Sequence, residues 1–150
     1  MKLSKRSENG MKALIDLAAF YGQGVVQAPQ IAKRHDISCK FQEQILLDLK
    51  RAGVVHSKQG VHGGYYLARP PDEITIGQVV RILDGTIAPI RCVSRMSYER
   101  CTCPDEDLCE LRLIMLDVRN AISNVLDNIS LADIVQNAID RTVKAVDVLD

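Results

Sequence analysis

Residues 92–109 constrain this chain more than any other stretch. The run Cys92-Val-Ser-Arg-Met-Ser-Tyr-Glu-Arg-Cys101-Thr-Cys103-Pro-Asp-Glu-Asp-Leu-Cys109 places four of the five cysteines in one polar, turn-rich segment. Thiols in such a setting are poor core filler, whereas thiolates are strong ligands for soft metal centres and iron–sulfur clusters. The fold must therefore be arranged around a loop that carries chemistry, with a folded unit before it and another element after it.

At 150 residues the chain suffices for one domain, or a small domain with an extension. There is no Trp and few aromatics, which points to an aliphatic core. No run of 18 or more apolar residues is present, so no membrane span is expected. The N-terminus is charged and has no signal-peptide apolar region, so a cytoplasmic location is expected. In that reducing compartment, clustered cysteines are more often metal-binding or redox-active than structural disulfides. A net charge of zero conceals a division. Residues 1–70 carry 11 Lys+Arg against 5 Asp+Glu, which is +6; residues 71–150 carry the remaining 8 against 14, which is −6. The basic half suits a polyanion and the acidic half does not.

In chain order, residues 4–21 predict a helix whose buried stripe is Met11, Leu14, Ile15, Ala18 and Tyr21, with Ser4 as cap. A short helix follows over Pro29–His35, then a turn at Asp36–Ile37. Ser38 caps a third helix to about Ala52, with Phe41, Ile45, Leu46 and Leu49 inward and Lys40, Glu43 and Leu47 opposite. Two short helices joined by a tight turn describe a helix-turn-helix. The β-prone segments 54–59 and 65–68, separated by a glycine-rich turn, make a hairpin, or wing, whose tip holds Lys58, Gln59 and His62. Residues 74–83 predict another helix, with Thr75 as cap. Beyond the cysteine loop, Leu108, Leu111, Met115, Val118, Ile122, Val125 and Ile129 recur at steps of three and four. That is a coiled-coil seam on a long helix over 106–129, a natural two-fold contact, although neighbouring apolar residues would also let it pack on its own domain. Ser130-Leu-Ala-Asp133 has the form of a capping box opening a final helix to about Ala145. The fold class expected is mainly α with a small β-hairpin wing: a winged helix-turn-helix followed by a long dimerisation helix.

The segments 37–55, 60–70 and 74–80, namely ISCKFQEQILLDLKRAGVV, GVHGGYYLARP and ITIGQVV, closely resemble the Rrf-two type regulators. That family of dimeric winged-helix transcription factors includes IscR-like iron–sulfur and NsrR-like nitric-oxide-sensing members. The resemblance runs from Met1 to about Val135. It implies that three loop cysteines hold an iron–sulfur cluster, [2Fe-2S] or [4Fe-4S], with a fourth ligand that varies. Cys92, Cys103 followed by Pro104, and Cys109 fit the family's pattern; Cys101 is an extra thiol that can replace Cys103 or act as fourth ligand. Where IscR-like members carry a His three residues past the last cysteine, this chain has Arg112. Some NsrR-like members use an acid near the N-terminus, and Glu8 matches that position, from which it could reach a cluster across a dimer. The usual Arg before the first wing glycine is Gln59.

Three regions are expected: a DNA-binding winged helix over 1–85, a cluster-binding loop over 86–109, and a dimerisation and C-terminal helical region over 110–150. Double-stranded DNA is the expected partner, read by Ser38, Lys40, Glu43, Lys58, Gln59 and His62 from the third helix and the wing. Cys39, on that helix, is expected to be a small packed or groove-facing residue. A regulator sensing iron–sulfur status, redox or nitric oxide is the function expected. A cluster-free regulator that switches through thiols, a disulfide, zinc or a partner protein is the alternative. Four thiolates make a closed zinc site, but Cys-x-Cys-x5-Cys lacks the usual zinc knuckle spacing. An enzyme such as a thiol oxidoreductase is disfavoured, since no Cys-x-x-Cys, activated nucleophile or phosphate-cradling loop is present.

Overall fold

A computed structural model describes the backbone of residues 2–147 and the side chains of residues 2–143. Helix α1 spans Lys5–Ala19, α2 Ala28–Arg34 and α3 Cys39–Arg51; strands β1 (Val55–Lys58) and β2 (Gly64–Leu67) follow, then α4 (Ile76–Leu83), α5 (Glu110–Asp127) and α6 (Leu131–Asp147). Short 3-10 turns occupy Pro71–Glu73 and Arg91–Val93. This is the expected winged helix-turn-helix with a long helix after the cysteine loop.

The sequence-encoded caps set the helix starts. Ser4 Oγ accepts from Ser7 N at 3.1 Å, Ser38 Oγ from Phe41 N at 3.2 Å, and Thr75 Oγ1 from Gln78 N at 3.3 Å. Each satisfies a backbone donor that has no partner inside its helix. At α6 the capping box closes in both directions: Asp133 N donates to Ser130 Oγ at 3.2 Å and Ser130 N to Asp133 Oδ2 at 2.8 Å. The Ser130 backbone amide, with its hydroxyl, holds the Asp133 carboxyl below its ordinary pKa.

One aliphatic core joins all these elements. Leu14, Leu46, Leu49, Val54, Val55, Ile74, Val79 and Leu131 are fully buried in it. The burial on α1 is wider than the expected stripe, because Ala13 and Leu17 are buried beside Leu14 and Ala18, between α3, α4, α6 and β2. Tyr21 lies past the helix end and is exposed. On α3, Ile45, Leu46 and Leu49 point inward as expected, and so does Gln42, whose buried amide has no hydrogen-bond partner.

The α2–α3 turn is made by Asp36 at φ 52°. Asp, which tolerates the left-handed region better than most residues, suits that position. His35 ends α2 with its Nε2 2.8 Å from Asp16 Oδ2, which ties the turn back to α1.

The wing strands pair antiparallel, Val55 opposite Leu67 and Lys58 opposite Gly64. Val26 adds a one-residue bridge to the outer edge of β2, with Val26 N to Tyr65 O at 2.9 Å and Tyr65 N to Val26 O at 2.8 Å. Of the wing glycines only Gly60 has positive φ, 108°. Gly63 and Gly64 are needed for another reason, close backbone approach. A Cβ on Gly64 would lie 2.7 Å from Val26 O and 2.9 Å from Val26 C, and one on Gly63 would strike Lys58 O.

Helix α5 begins at Glu110, later than the expected 106. The Asp105 carboxylate accepts from Asp107 N at 2.9 Å and Leu108 N at 3.2 Å, closing a local turn that competes with helix. Leu108, the first seam position, therefore lies outside the helix and is exposed. The seam itself divides. Ile122 and Ile129 pack on the chain's own core, as does the neighbouring Leu126; Met115 is half-buried; Leu111, Val118 and Val125, with the neighbouring Ile114, remain exposed. No helix among the described residues is long and apolar enough to cross a membrane.

Because backbone, not a flexible side chain, faces Gly64, Gly64→Ala should lower stability by about 1–3 kcal/mol. The thermal transition should fall accordingly. An unchanged transition temperature would show that the Val26–Tyr65 bridge does not hold the wing.

Candidate metal centre and nucleic-acid interface

The cysteine loop leaves the core at the C-terminus of α4 and returns at Cys109, the N-cap of α5. Its base is fastened on three sides. Arg81 of α4 makes a two-point pair with Asp127 of α5, at 2.5 and 2.8 Å, which lowers the Asp127 pKa. Arg119 of α5 is buried; its Nη1 donates to Val93 O at 2.6 Å, and burial lowers its pKa. Ser94 Oγ accepts from Ser97 N at 2.9 Å and lies 2.7 Å from Thr86 Oγ1. These contacts fold the first part of the loop inward, so Cys92 and Val93 are buried.

The four loop cysteines come together as free thiols. Cys103 Sγ lies 3.9 Å from Cys109 Sγ and is within hydrogen-bonding reach of Cys101. Hydrogen bonding from Cys101 and Cys109, with burial, pushes the Cys103 thiol up to about 11. Cys92 is raised chiefly by burial and next by Cys101. Ligand atoms of Cys92, Cys101 and Glu106 all lie within 4.8 Å of one another. Around Glu106, Tyr98 Oη donates to Oε2 at 2.6 Å and Arg112 Nε stands 3.4 Å from Oε1. The donors thus fall in two adjoining groups, Cys92 and Cys101 with Glu106, and Cys103 with Cys109, so that Cys92 does not converge on the same point as Cys103 and Cys109. Thiolates of this kind are donors that soft metal centres and iron–sulfur clusters take.

The sequence singles out the four cysteines but not Glu106, Tyr98, Arg112 in this role, or Arg119. Three consecutive acids, Asp105, Glu106 and Asp107, precede Cys109, and a loop has no period to tell which of them turns toward the thiols. Glu8 lies apart, on α1, where Lys5 Nζ pairs with its Oε2 at 2.6 Å. That hydrogen bond lowers its pKa. Cys39 is half-buried at the start of α3, its Sγ 3.6 Å from Glu43 Oε1, away from the loop thiols.

The winged helix presents the second surface. Ser38, Lys40 and Glu43 on α3 and Lys58, Gln59 and His62 on the wing are all exposed. An open groove of about 620 Å³ runs between α3 and the wing, bordered by Glu43, Lys50, Ser57, Lys58, Gln59 and Tyr65. Lys50 Nζ donates to Ser57 Oγ at 2.6 Å, which fixes the wing against α3. A helix N-terminus beside a hairpin is the arrangement that winged-helix proteins use on duplex DNA.

Fold and surfaces together define the winged helix-turn-helix class of protein. The family model for Rrf2, described as an iron-dependent transcriptional regulator, matches residues 3–137. The chain belongs to the Rrf2 family. It is 35% identical over 138 residues to the protein rrf2 of Nitratidesulfovibrio vulgaris, covering 92% of this chain and 89% of that one. Its fold is similar to the solved structure of CymR, the global cysteine regulator of Bacillus subtilis, with TM-score 0.77 and 31% identity, over 91% of this chain and 98% of that one. The structure of T. potens IscR aligns with TM-score 0.73 and 33% identity, over 92% and 88%.

Arg119→Met should release the Val93 carbonyl and loosen the loop. Amide hydrogen exchange over residues 92–109 should quicken several-fold while α1–α3 keep their protection. Equal exchange in variant and wild type would remove Arg119 from the loop's supports.

Proposed function

We propose that the chain is a homodimeric regulator that reads DNA with residues 1–85, holds an iron–sulfur cluster in residues 86–109, and pairs through its long helix in residues 110–150. The observation that carries the reading is the gathering of four loop thiols in a chain of a family described as iron-dependent. Cys92, Cys103 and Cys109 are the cluster cysteines in this reading, with Cys101 the adjacent thiol that can join or replace them. Glu8 can contribute only from the other subunit's α1. When bound, the cluster supplies a centre that responds to iron supply, redox state or nitric oxide. The protein's part is to hold the thiols in the clamped loop and to exclude water from Cys92. The exposed apolar row on α5 supports the two-fold contact, and a cytoplasmic setting follows from the DNA partner.

Lys40 and Lys58 supply phosphate contacts in this reading, Glu43 and Ser38 face the groove edge, and Gln59 and His62 sit at the wing tip. Two recognition helices would meet half-sites about 34–36 Å apart. Lys40→Ala and Lys58→Ala should each weaken operator binding about equally on all sequences and flatten its salt dependence by about one ion. Wild-type affinity and salt slope in both variants would remove α3 and the wing from the interface.

A second reading keeps the DNA-binding unit but drops the cluster, with the thiols, a disulfide, zinc or a partner protein as the switch. The 3.9 Å approach of Cys103 and Cys109 and the similarity to CymR favour it. Anaerobic isolation separates the two. The cluster reading expects brown protein with equal iron and sulfide that Cys103→Ser and Cys109→Ser lose. Colourless protein with stoichiometric zinc, and neither iron nor sulfide after reconstitution, would end it.

A further inference from the structure

We propose that Glu106 is itself a metal ligand, binding through Oε1 beside Cys92 and Cys101. This rests on reading the cysteine loop as a metal centre, and it assigns to Glu106 the oxygen-ligand role for which the sequence offered Glu8.

The geometry comes from three observations. The ligand atoms of Cys92, Cys101 and Glu106 converge within 4.8 Å of one another. The Glu106 side chain is only 14% exposed, and its Oε1 is fully withdrawn from solvent with no hydrogen-bond partner. Arg112 Nε is near, at 3.4 Å, but it too is buried without hydrogen-bond geometry, so it offsets charge without satisfying the oxygen. With its charge balanced by Arg112 but no hydrogen bond made, Oε1 keeps an unused buried acceptor position that a metal ion can take. The other oxygen is already occupied. Tyr98 Oη donates to Oε2 at 2.6 Å, which holds the carboxylate in place and leaves Oε1 as the oxygen without a hydrogen bond. That is the outer-shell support by which proteins fix a ligating carboxylate. Tyr98 is therefore a positioning residue.

The mixed set also selects the class of ion. Two thiols and one carboxylate suit iron, zinc or cobalt and are a poor match for magnesium or calcium, which take oxygen ligands. Glu8, by contrast, is already paired with Lys5 on the surface of α1.

Cobalt(II) is the probe that tests this without requiring a cluster. The full chain is reduced, freed of metal and titrated anaerobically with cobalt(II), with thiolate charge-transfer and ligand-field absorption followed together. Glu106→Gln should bind at least about ten-fold more weakly and shift the ligand-field bands. Glu110→Gln, the same change of charge on the first turn of α5, should titrate like wild type. Wild-type affinity and spectrum in Glu106→Gln would overturn the assignment, as would the absence of cobalt uptake by wild type. X-ray absorption of the cobalt-loaded wild type gives a second measure independent of the variant's folding. A shell of sulfur with an oxygen supports Glu106, and a shell of sulfur alone refutes it. Iron and sulfide analysis separates the two levels of interpretation. A cluster unaffected by Glu106→Gln sinks this inference and leaves the cluster reading standing. A cobalt site that needs Glu106, in a chain that never takes up iron and sulfide, does the reverse.

Discussion

The cysteine loop is closed at its base before any of its own chemistry acts, and the rest of the molecule depends on that closure. Thr75, just before α4, and Ser130, just before α6, form an isolated antiparallel bridge. Its two bonds, Ile76 N to Ile129 O and Leu131 N to Ile74 O, are both 2.9 Å. Ile74 and Leu131 are fully buried in the same core. The bridge therefore brackets α4, the loop and α5 as one excursion from a fixed point. The Arg81–Asp127 pair and the Arg119–Val93 bond tighten it further in. Bringing the loop's ends together costs entropy that grows only slowly with length, and the folded core has already met that cost. What remains free to vary is the interior from Arg95 to Leu108, which is mostly exposed and irregular.

The start of that loop is linked to α3 by way of α1. Asp84, the C-cap of α4, accepts from Ser4 N at 3.0 Å and from Ser4 Oγ. Burial alone would raise its pKa, but the hydrogen bonds from Ser4 prevail and lower it. Ser4 caps α1, and within the first turn Arg6 pairs with Asp48 of α3. A residue at the loop's edge thus holds the end of the helix that grips the helix facing the groove. Contact by itself transmits nothing; transmission needs an element with two arrangements. The loop supplies the only long stretch among the described residues whose order rests on side-chain contacts more than on a backbone ladder.

Much of this was written in local chemistry that a sequence displays. Ser4, Ser38, Thr75 and the Ser130–Asp133 box act over three residues, and their caps appear where the residue types place them. The buried positions of α3 and α4 follow the helical period because each helix meets the core along one face. Prediction failed where a distant partner or a competing local bond decided the outcome. Nothing in the neighbourhood of Gln42 announces that its amide is buried. Gly64 is required by Val26, nearly forty positions away, and the Asp105 turn displaces the start of α5 although the apolar spacing continues through it. The thiols were legible because cysteine is informative by type; the orientation of Glu106 was not, because an acid in a polar loop is ordinary until its surroundings are known.

The long helix is packed at one end and bare at the other. Its C-terminal half is anchored by Ile122 and Leu126 on the core, with Ile129 just beyond its end. Its N-terminal half, directly after Cys109, exposes Leu111, Ile114 and Val118 along one stripe, with Val125 continuing it. Scattered surface apolar residues need no explanation, but a stripe at helical spacing is the kind of surface that a partner helix covers. Burying each such side chain is worth about 1.5–3 kcal/mol, more than an exposed ion pair at its rim. In the dimer reading the seam begins two residues beyond the last loop cysteine, so the loop's shape sets the approach of the second subunit. The spacing of two reading heads on DNA would then be fixed where the thiols meet the helix, not at the wing.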